Sequence, residues 1–380
     1  CEKVSKRELN LIVSPYRICP LGAHIDHQGG PVLGMTINAY TVLAFKPLST
    51  PIVRLYSINF PDMVEFALNE IGPPEMRDWG RYAKGAAKVM GSVKKLSFGF
   101  VGVVNGSLPS SGLSSSASVG LAYLYALARV NELDFSVNEY IQLDRKLENE
   151  YLGLQNGILD QTTIINGKND HLLYINTITA EVCFFKKPID ADEFRIIVAH
   201  SGFTRDLTSS GFNTRVGECV KASRLLGEMA GIESVNILSD IPEDQYHFYR
   251  SALPENLRRR ADHFFSEIKY VTEGIKYWQE GDWAKFGQLM NKSCMSSIEN
   301  YESGSIALKT LQEIFSKTQG VYGSRFSGGG YGGCVIGFVK PQFANDAASI
   351  ILESYLNYFP EGRNLAAIYN VKSDDGIRFL

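Results

Sequence analysis

The sequence predicts a two-domain chain of mixed α and β structure. Three observations carry this. The chain has 380 residues, long enough for two hydrophobic cores. Strand-like apolar runs, such as Leu9 to Val13 and Pro31 to Phe45, dominate the first half. Beyond residue 200 the pattern turns helical, with stretches near 210–230, 243–252, 254–277, 282–293 and 306–318. The change places the domains at 1–195 and 196–380.

Composition narrows the function classes. Hydrophobic content of 44% and charge of 21% describe an ordinary globular protein. A net charge of −3 and a pI near 6.1 give no basic footprint for nucleic acid or an anionic membrane. An anionic ligand therefore needs a local site. The longest apolar runs fall short of a membrane span. No signal peptide is visible, and a start at Cys1 rather than Met implies a trimmed N-terminus. The cysteines Cys1, Cys19, Cys183, Cys219, Cys294 and Cys334 form no Cys-x-x-Cys pair, and the six histidines form no metal motif. A reducing, cytoplasmic setting and a monomer are expected.

Taken in order, residues 7–14 read as a strand. Ser14 to Gly30 then packs Arg17, His24, Asp26 and His27 among turn-formers, so a ligand-binding loop is expected. Residues 52–68 alternate as strands. Asp78 to Ala86 opens a helix to about Met90; Trp79 at its start is either core or a flat platform for a base. A strand over Leu96 to Val104 leads into Leu108-Pro109-Ser110-Ser111-Gly112-Leu113-Ser114-Ser115-Ser116-Ala117 and a helix to Val130.

That serine loop suits a helix start, because hydroxyls can take up free backbone N–H groups. It is either a plain cap or an anion site, most often for phosphate. It is not a Walker loop, since no Gly-Lys-Ser/Thr follows.

A helix over about 137–153 carries Asp144 and Glu148 on one face, either solvated or aimed at a metal. Asp160 follows a glycine turn in apolar company, so it is either paired or functional. Strands at 171–176, 181–186 and 194–199 read as a meander. Tyr322 to Gly333 holds five glycines within six residues, implying close contact with another loop or a ligand. A helix from Pro341 to Leu356 and a strand from Ala366 to Asn370 close the chain.

Three stretches thus stand in fixed order: Pro15-x-Arg17 with His24 and Asp26, the Gly112 to Ala117 loop, and the late glycine-rich turn. Together they resemble the small-molecule kinases that include galactokinases, homoserine kinases, mevalonate kinases and phosphomevalonate kinases, over nearly the whole chain. Trp79 to Gly85, Gly157 to Gln161 and Ser209 to Arg215 are similar to motifs of the galactokinase branch.

The resemblance implies an α+β fold. Its N-terminal domain has a mixed sheet of left-handed βαβ type, its C-terminal domain is ferredoxin-like, and the active site lies in the cleft between them. It further implies phosphoryl transfer from ATP, with Mg²⁺, to the anomeric hydroxyl of a sugar. By position, Ser110, Ser111, Gly112, Leu113, Ser114, Ser115 and Ser116 would wrap the ATP phosphates, with Trp79 near adenine. Ser116 and Glu148 would hold Mg²⁺. Asp160 would be the catalytic acid residue near the sugar 1-hydroxyl, with Arg17 as its cationic partner. Tyr16, Ala23, His24, Asp26, Gly157, Asp160 and Phe212 would face the sugar. The chemistry agrees: phosphoryl transfer needs positioning and charge neutralisation, and a carboxylate can take the hydroxyl proton.

One departure bears on substrate. The galactokinase branch carries Glu where this chain has Ala23, and the resemblance places that Glu at the sugar's C6 end. A C6 carboxylate would meet it as a like charge, at roughly 4 kcal/mol for about 4 Å and an effective dielectric near 20, on the order of a thousandfold in affinity. Ala23 removes that repulsion. Pro15 to Gly30 and Ser296 to Glu302 are similar to plant-type galacturonokinases. Candidates for the carboxylate are Arg205, Tyr16, His24 and His27. Phe212 stands where both branches commonly have Tyr, so one sugar hydrogen bond is missing. D-Galacturonate is therefore the expected substrate and galactose the alternative, with a non-catalytic sugar and ATP sensor as the reading from another class.

Overall fold

The computed structural model describes residues 9–109, 112–203 and 211–380. The elements of the first half are β1 (Asn10–Ile18), β2 (Val32–Pro47), β3 (Ile52–Ser57), β4 (Val64–Ala67), α1 (Arg81–Gly91), β5 (Phe100–Gly106), α2 (Ser115–Val130), α3 (Val137–Lys146), α4 (Leu159–Asn166), β6 (His171–Ile175) and β7 (Val182–Lys186). Those of the second are β8 (Arg195–His200), α5 (Phe212–Ala230), α6 (Glu243–Tyr249), α7 (Glu255–Glu280), α8 (Trp283–Glu299), α9 (Ile306–Lys317), β9 (Val321–Phe326), β10 (Cys334–Val339), α10 (Ala344–Tyr358), β11 (Ala367–Val371) and β12 (Arg378–Phe379).

The long strand β2 organises the first sheet, ordered β12-β1-β2-β5-β3-β4. Its start pairs with β6 at Val32 to Gly34, and its end pairs with β5 from Thr41 to Pro47. Only β3 and β5 run parallel among the described pairs of this sheet. Helices α1, α2 and α3 bury their apolar sides with it around Leu43, Phe45, Leu121 and Leu124. The second sheet, β11-β8-β10-β9, is antiparallel throughout. Its core joins Ile197, Val335 and Val339 to Leu311 and Phe315 of α9 and Ile351 of α10. This is the mixed α+β architecture anticipated above.

Local chemistry explains several boundaries. A capping box starts α3: the Ser136 hydroxyl accepts from Glu139 N–H, and the Glu139 carboxylate accepts from Ser136 N–H at 2.7 Å. Left-handed Gly231 and Gly281 end α5 and α7.

Four expectations need correction. Tyr16 and Arg17 lie on β1 and not in a loop, because the strand continues through a register shift at Pro15/Tyr16. The three-strand meander does not exist: β6 and β7 form a hairpin, whereas β8 joins the second sheet beside β10 and β11. Strand periodicity alone cannot choose between sheets. The helix read to residue 153 stays α-helical to Lys146 and then makes a π turn over Leu147–Tyr151. The glycine-rich stretch begins as strand β9, which the sequence reading missed. The chain end returns to the first sheet, where β12 pairs with β1.

No helix among the described residues is long and apolar enough to cross a membrane.

Candidate active site

A cleft of about 1250 Å³ runs between the two halves, large enough for a nucleotide and a monosaccharide together. Arg17 lies at its centre, 3% exposed. Its Nε donates to Asp160 Oδ1 at 2.7 Å, and its Nη2 stands 2.6 Å from the same oxygen. Nη1 reaches Ser327 Oγ at 3.2 Å and the Gly112 carbonyl at 3.4 Å. One planar guanidinium thereby ties β1, the serine loop, α4 and the glycine-rich turn.

The two glycine-rich segments meet backbone to backbone. A Cβ on Gly112, at φ +81°, would come 2.8 Å from the Ser327 carbonyl oxygen. A Cβ on Gly328, at φ +74°, would come 2.7 Å from Gly112 Cα. Another loop is thus one partner of the late turn, whose Gly328, Gly329 and Gly332 also line the cleft.

The serines do not cap their helix as expected. Ser114, the N-cap of α2, is left-handed at φ 55° and makes no side-chain cap hydrogen bond. Its hydroxyl donates instead to Asp160. The helix start therefore keeps N–H groups free of serine caps, which is the arrangement an anion site needs. Gly112, Ser114, Ser115 and Ser116 line the cleft. Leu113 turns its side chain into the core and accepts the Arg17 N–H at 3.1 Å. Ser110, Ser111, Arg205 and Ser209 lie outside the described residues.

Two acids gather at the start of α4. Asp160 sits in its first turn, and Asp26 Oδ2 accepts the Leu159 N–H at 3.3 Å. Burial pushes the Asp26 carboxyl up to about 6, helped by the nearby Asp160 charge. Gly157 makes this possible, since a Cβ there would stand 2.5 Å from Asp26 Oδ2. Gly157 itself packs under the site without lining the cleft.

Glu148 is 1% exposed and accepts hydrogen bonds from Asn156 and the Ser116 hydroxyl. Burial raises its carboxyl to about 7, with the Asp160 charge adding. Asp144, one turn earlier, is wholly buried with both oxygens unpartnered, and burial holds its carboxyl well above the usual range. It packs on Gly120 of α2 and does not reach the cleft. Asn156 was missed by the sequence reading, although it directly precedes the Gly157 motif.

Ala23, His24 and Phe212 line the cleft, with the His24 and Phe212 rings 6.4 Å apart, whereas the Tyr16 hydroxyl lies at Gly106 beside Asn59 and not with them. Trp79 also lines the cleft, stacked on Phe60 at 6.0 Å.

The family models "GHMP kinases N terminal domain" and "GHMP kinases C terminal" match residues 81–168 and 275–356. A galacturonokinase of Arabidopsis thaliana is 42% identical, covering 94% of this chain and 90% of that protein. A galactokinase of Staphylococcus saprophyticus is 31% identical over 97% of this chain and 94% of its own. Among solved structures, Lactococcus lactis galactokinase complexed with galactose superposes with a TM-score of 0.89, 29% identity and coverage of 99% and 97%. Methanococcus jannaschii mevalonate kinase shares the fold, with a TM-score of 0.68 at 18% identity over 97% and 100%.

Proposed function

The chain belongs to the GHMP kinase family, in its galactokinase branch, and on that premise we propose that it phosphorylates the anomeric hydroxyl of D-galacturonate. The products are α-D-galacturonate 1-phosphate and ADP. The observation that carries the uronate reading is Ala23: the cleft wall has a methyl group where the galactokinase branch carries a carboxylate. The 42% identity to a galacturonokinase supports it.

In this reading the sugar lies against His24, Asp26 and Phe212, with its 1-hydroxyl at Asp160. Asp160 takes the hydroxyl proton as O1 bonds to the γ-phosphorus and the bond to the β-phosphate oxygen breaks. Arg17 orients the Asp160 carboxylate through two donors and places positive charge beside the transferring group. The phosphates lie on the free N–H groups that open α2, with the serine loop around them. Trp79 and Phe60 supply flat apolar surface for adenine.

The donor set fits Mg²⁺. The Ser116 hydroxyl and Glu148 carboxylate are hydrogen-bonded neighbours at the opening of α2, and oxygen ligands of this kind suit a hard cation. These two residues would hold the ion, whose charge would offset that of the phosphates. The reading includes a monomer in the reducing cytoplasm, in keeping with free thiols at all five described cysteines.

Initial rates of ADP release with ATP and Mg²⁺, across a panel of hexoses and uronic acids, test the proposal. Galacturonate should lead. A tenfold or greater preference for galactose would sink the uronate reading, and ATP binding without sugar-dependent ADP release would favour a sensor.

A further inference from the structure

Behind the cleft wall at Ala23 and His24 runs a line of hydrogen bonds that the proposed chemistry leaves unused. The Leu238 N–H donates to Gln28 Oε1 at 3.2 Å, which fixes the other end of that amide as donor. Gln28 Nε2 then donates to His27 Nδ1 at 3.0 Å and to the His27 carbonyl at 3.2 Å. An imidazole nitrogen that accepts leaves the ring proton on the other nitrogen. His27 Nε2 is therefore a donor, and Tyr301 Oη accepts it at 3.0 Å. Tyr301 is fully buried, and its ring lies flat on His24, with centroids 4.5 Å apart and planes 6° from parallel.

His24 itself is held in an unusual state. Its φ of 63° is left-handed for a residue with a side chain. Its Nε2 stands 3.5 Å from Ser303 Oγ, whose own hydrogen goes to the Ser297 carbonyl at 3.0 Å. The Ser303 oxygen can then only accept, which puts the His24 proton on Nε2 and leaves Nδ1 a bare acceptor. Burial, with the charges around it, keeps this ring neutral.

We propose that Tyr301, braced by His27 and Gln28, is a positioning residue that fixes the plane of His24, so that His24 meets the sugar as a neutral acceptor of a hydroxyl hydrogen. The inference rests on the reading that places the sugar against His24. It also removes two candidates for the C6 carboxylate. A bare acceptor nitrogen repels a carboxylate, and both His27 ring nitrogens already have partners. His24 instead reads a hydroxyl that galacturonate and galactose share.

Tyr301→Phe keeps the ring and removes only the hydroxyl, and with it the acceptor for His27 Nε2. Steady-state kinetics should give a sugar KM raised roughly 5- to 10-fold, equally for galacturonate and galactose, from one lost hydrogen bond. The kcat should stay within about twofold and the ATP KM should not move. Gln28→Leu should shift the sugar KM the same way, and it serves if Tyr301→Phe does not fold. In a His24→Ala background, Tyr301→Phe should add nothing to the sugar KM. An unchanged sugar KM in Tyr301→Phe overturns the proposal. So does a factor that multiplies that of His24→Ala, or a parallel rise in the ATP KM. A wild-type enzyme that uses galactose alone ends the uronate reading and leaves this test intact on galactose. A His24→Ala variant with unchanged sugar KM ends the placement of His24 at the sugar, and this inference with it.

Discussion

Arg17 Nη2 lies 2.6 Å from Asp160 Oδ1, joining residues 143 positions apart at the centre of the cleft. The guanidinium contacts of Arg17 to Asp160, Gly112 and Ser327 require a planar fork at this place. Asp160→Asn keeps the shape and removes the proton acceptor. The kcat should fall by about 10²- to 10⁴-fold while sugar still binds. Arg17→Lys should not restore the lost geometry and should also fall steeply. An Asp160→Asn enzyme within tenfold of the wild-type kcat, measured by ADP release, would remove Asp160 from the chemistry.

Gly112→Ala tests the contact between the two glycine-rich segments. The new Cβ would press on the Ser327 carbonyl oxygen at 2.8 Å, and φ +81° disfavours any side chain. Backbone faces backbone, so neither side can yield cheaply. The ATP KM should rise about tenfold, and Tm should drop by a few degrees for a loss of about 1 kcal/mol or more. Wild-type values of both in the purified variant would contradict the packing described.

Ala23→Glu restores a carboxylate to the cleft wall. Turnover of galacturonate should fall by up to about a thousandfold, from like-charge repulsion of roughly 4 kcal/mol. Galactose turnover should be spared or improved. Equal losses on the two sugars would show that charge at this position does not select the substrate.

Glu148 predicts a pH dependence. Its folded carboxyl is raised to about 7 from an ordinary value near 4.5. Protons therefore compete with a cation below about pH 7, and the Mg²⁺ concentration for half-maximal rate should be roughly tenfold higher at pH 6 than at pH 8. The sign for stability is the reverse of a paired surface acid. The fold favours the neutral form, so this group's contribution should fall as pH rises from about 4.5 to 7, then level off. A Mg²⁺ requirement that is flat from pH 6 to 8 would exclude Glu148 as a ligand.

Much of the fold could be read from periodicity, because helices such as α5, α7 and α9 carry long amphipathic patterns with clear stops. Sheet membership could not. The continuous apolar run in Arg195–His200, buried at every position after Arg195, would fit either sheet, and only packing sends β8 to β10 and β11. The serine run was open to two readings, a plain helix cap or an anion site. A left-handed Ser114 that donates to Asp160 shows that this serine, at least, does not cap its helix.

By itself the sequence determined which chemical groups are available and in what order: the arginine, the acids, the serine loop and the missing glutamate at Ala23. These are local facts, since motif spacing and backbone preference are written in neighbouring residues. Tertiary structure decided how they meet, the Arg17–Asp160 pairing being the one that the family resemblance already implied. Arg17 against Asp160, Gly112 against Gly328 and Tyr301 beneath His24 are contacts between distant segments. They exist only because two sheets and their helices bury apolar surface in one particular arrangement, and no local pattern encodes that.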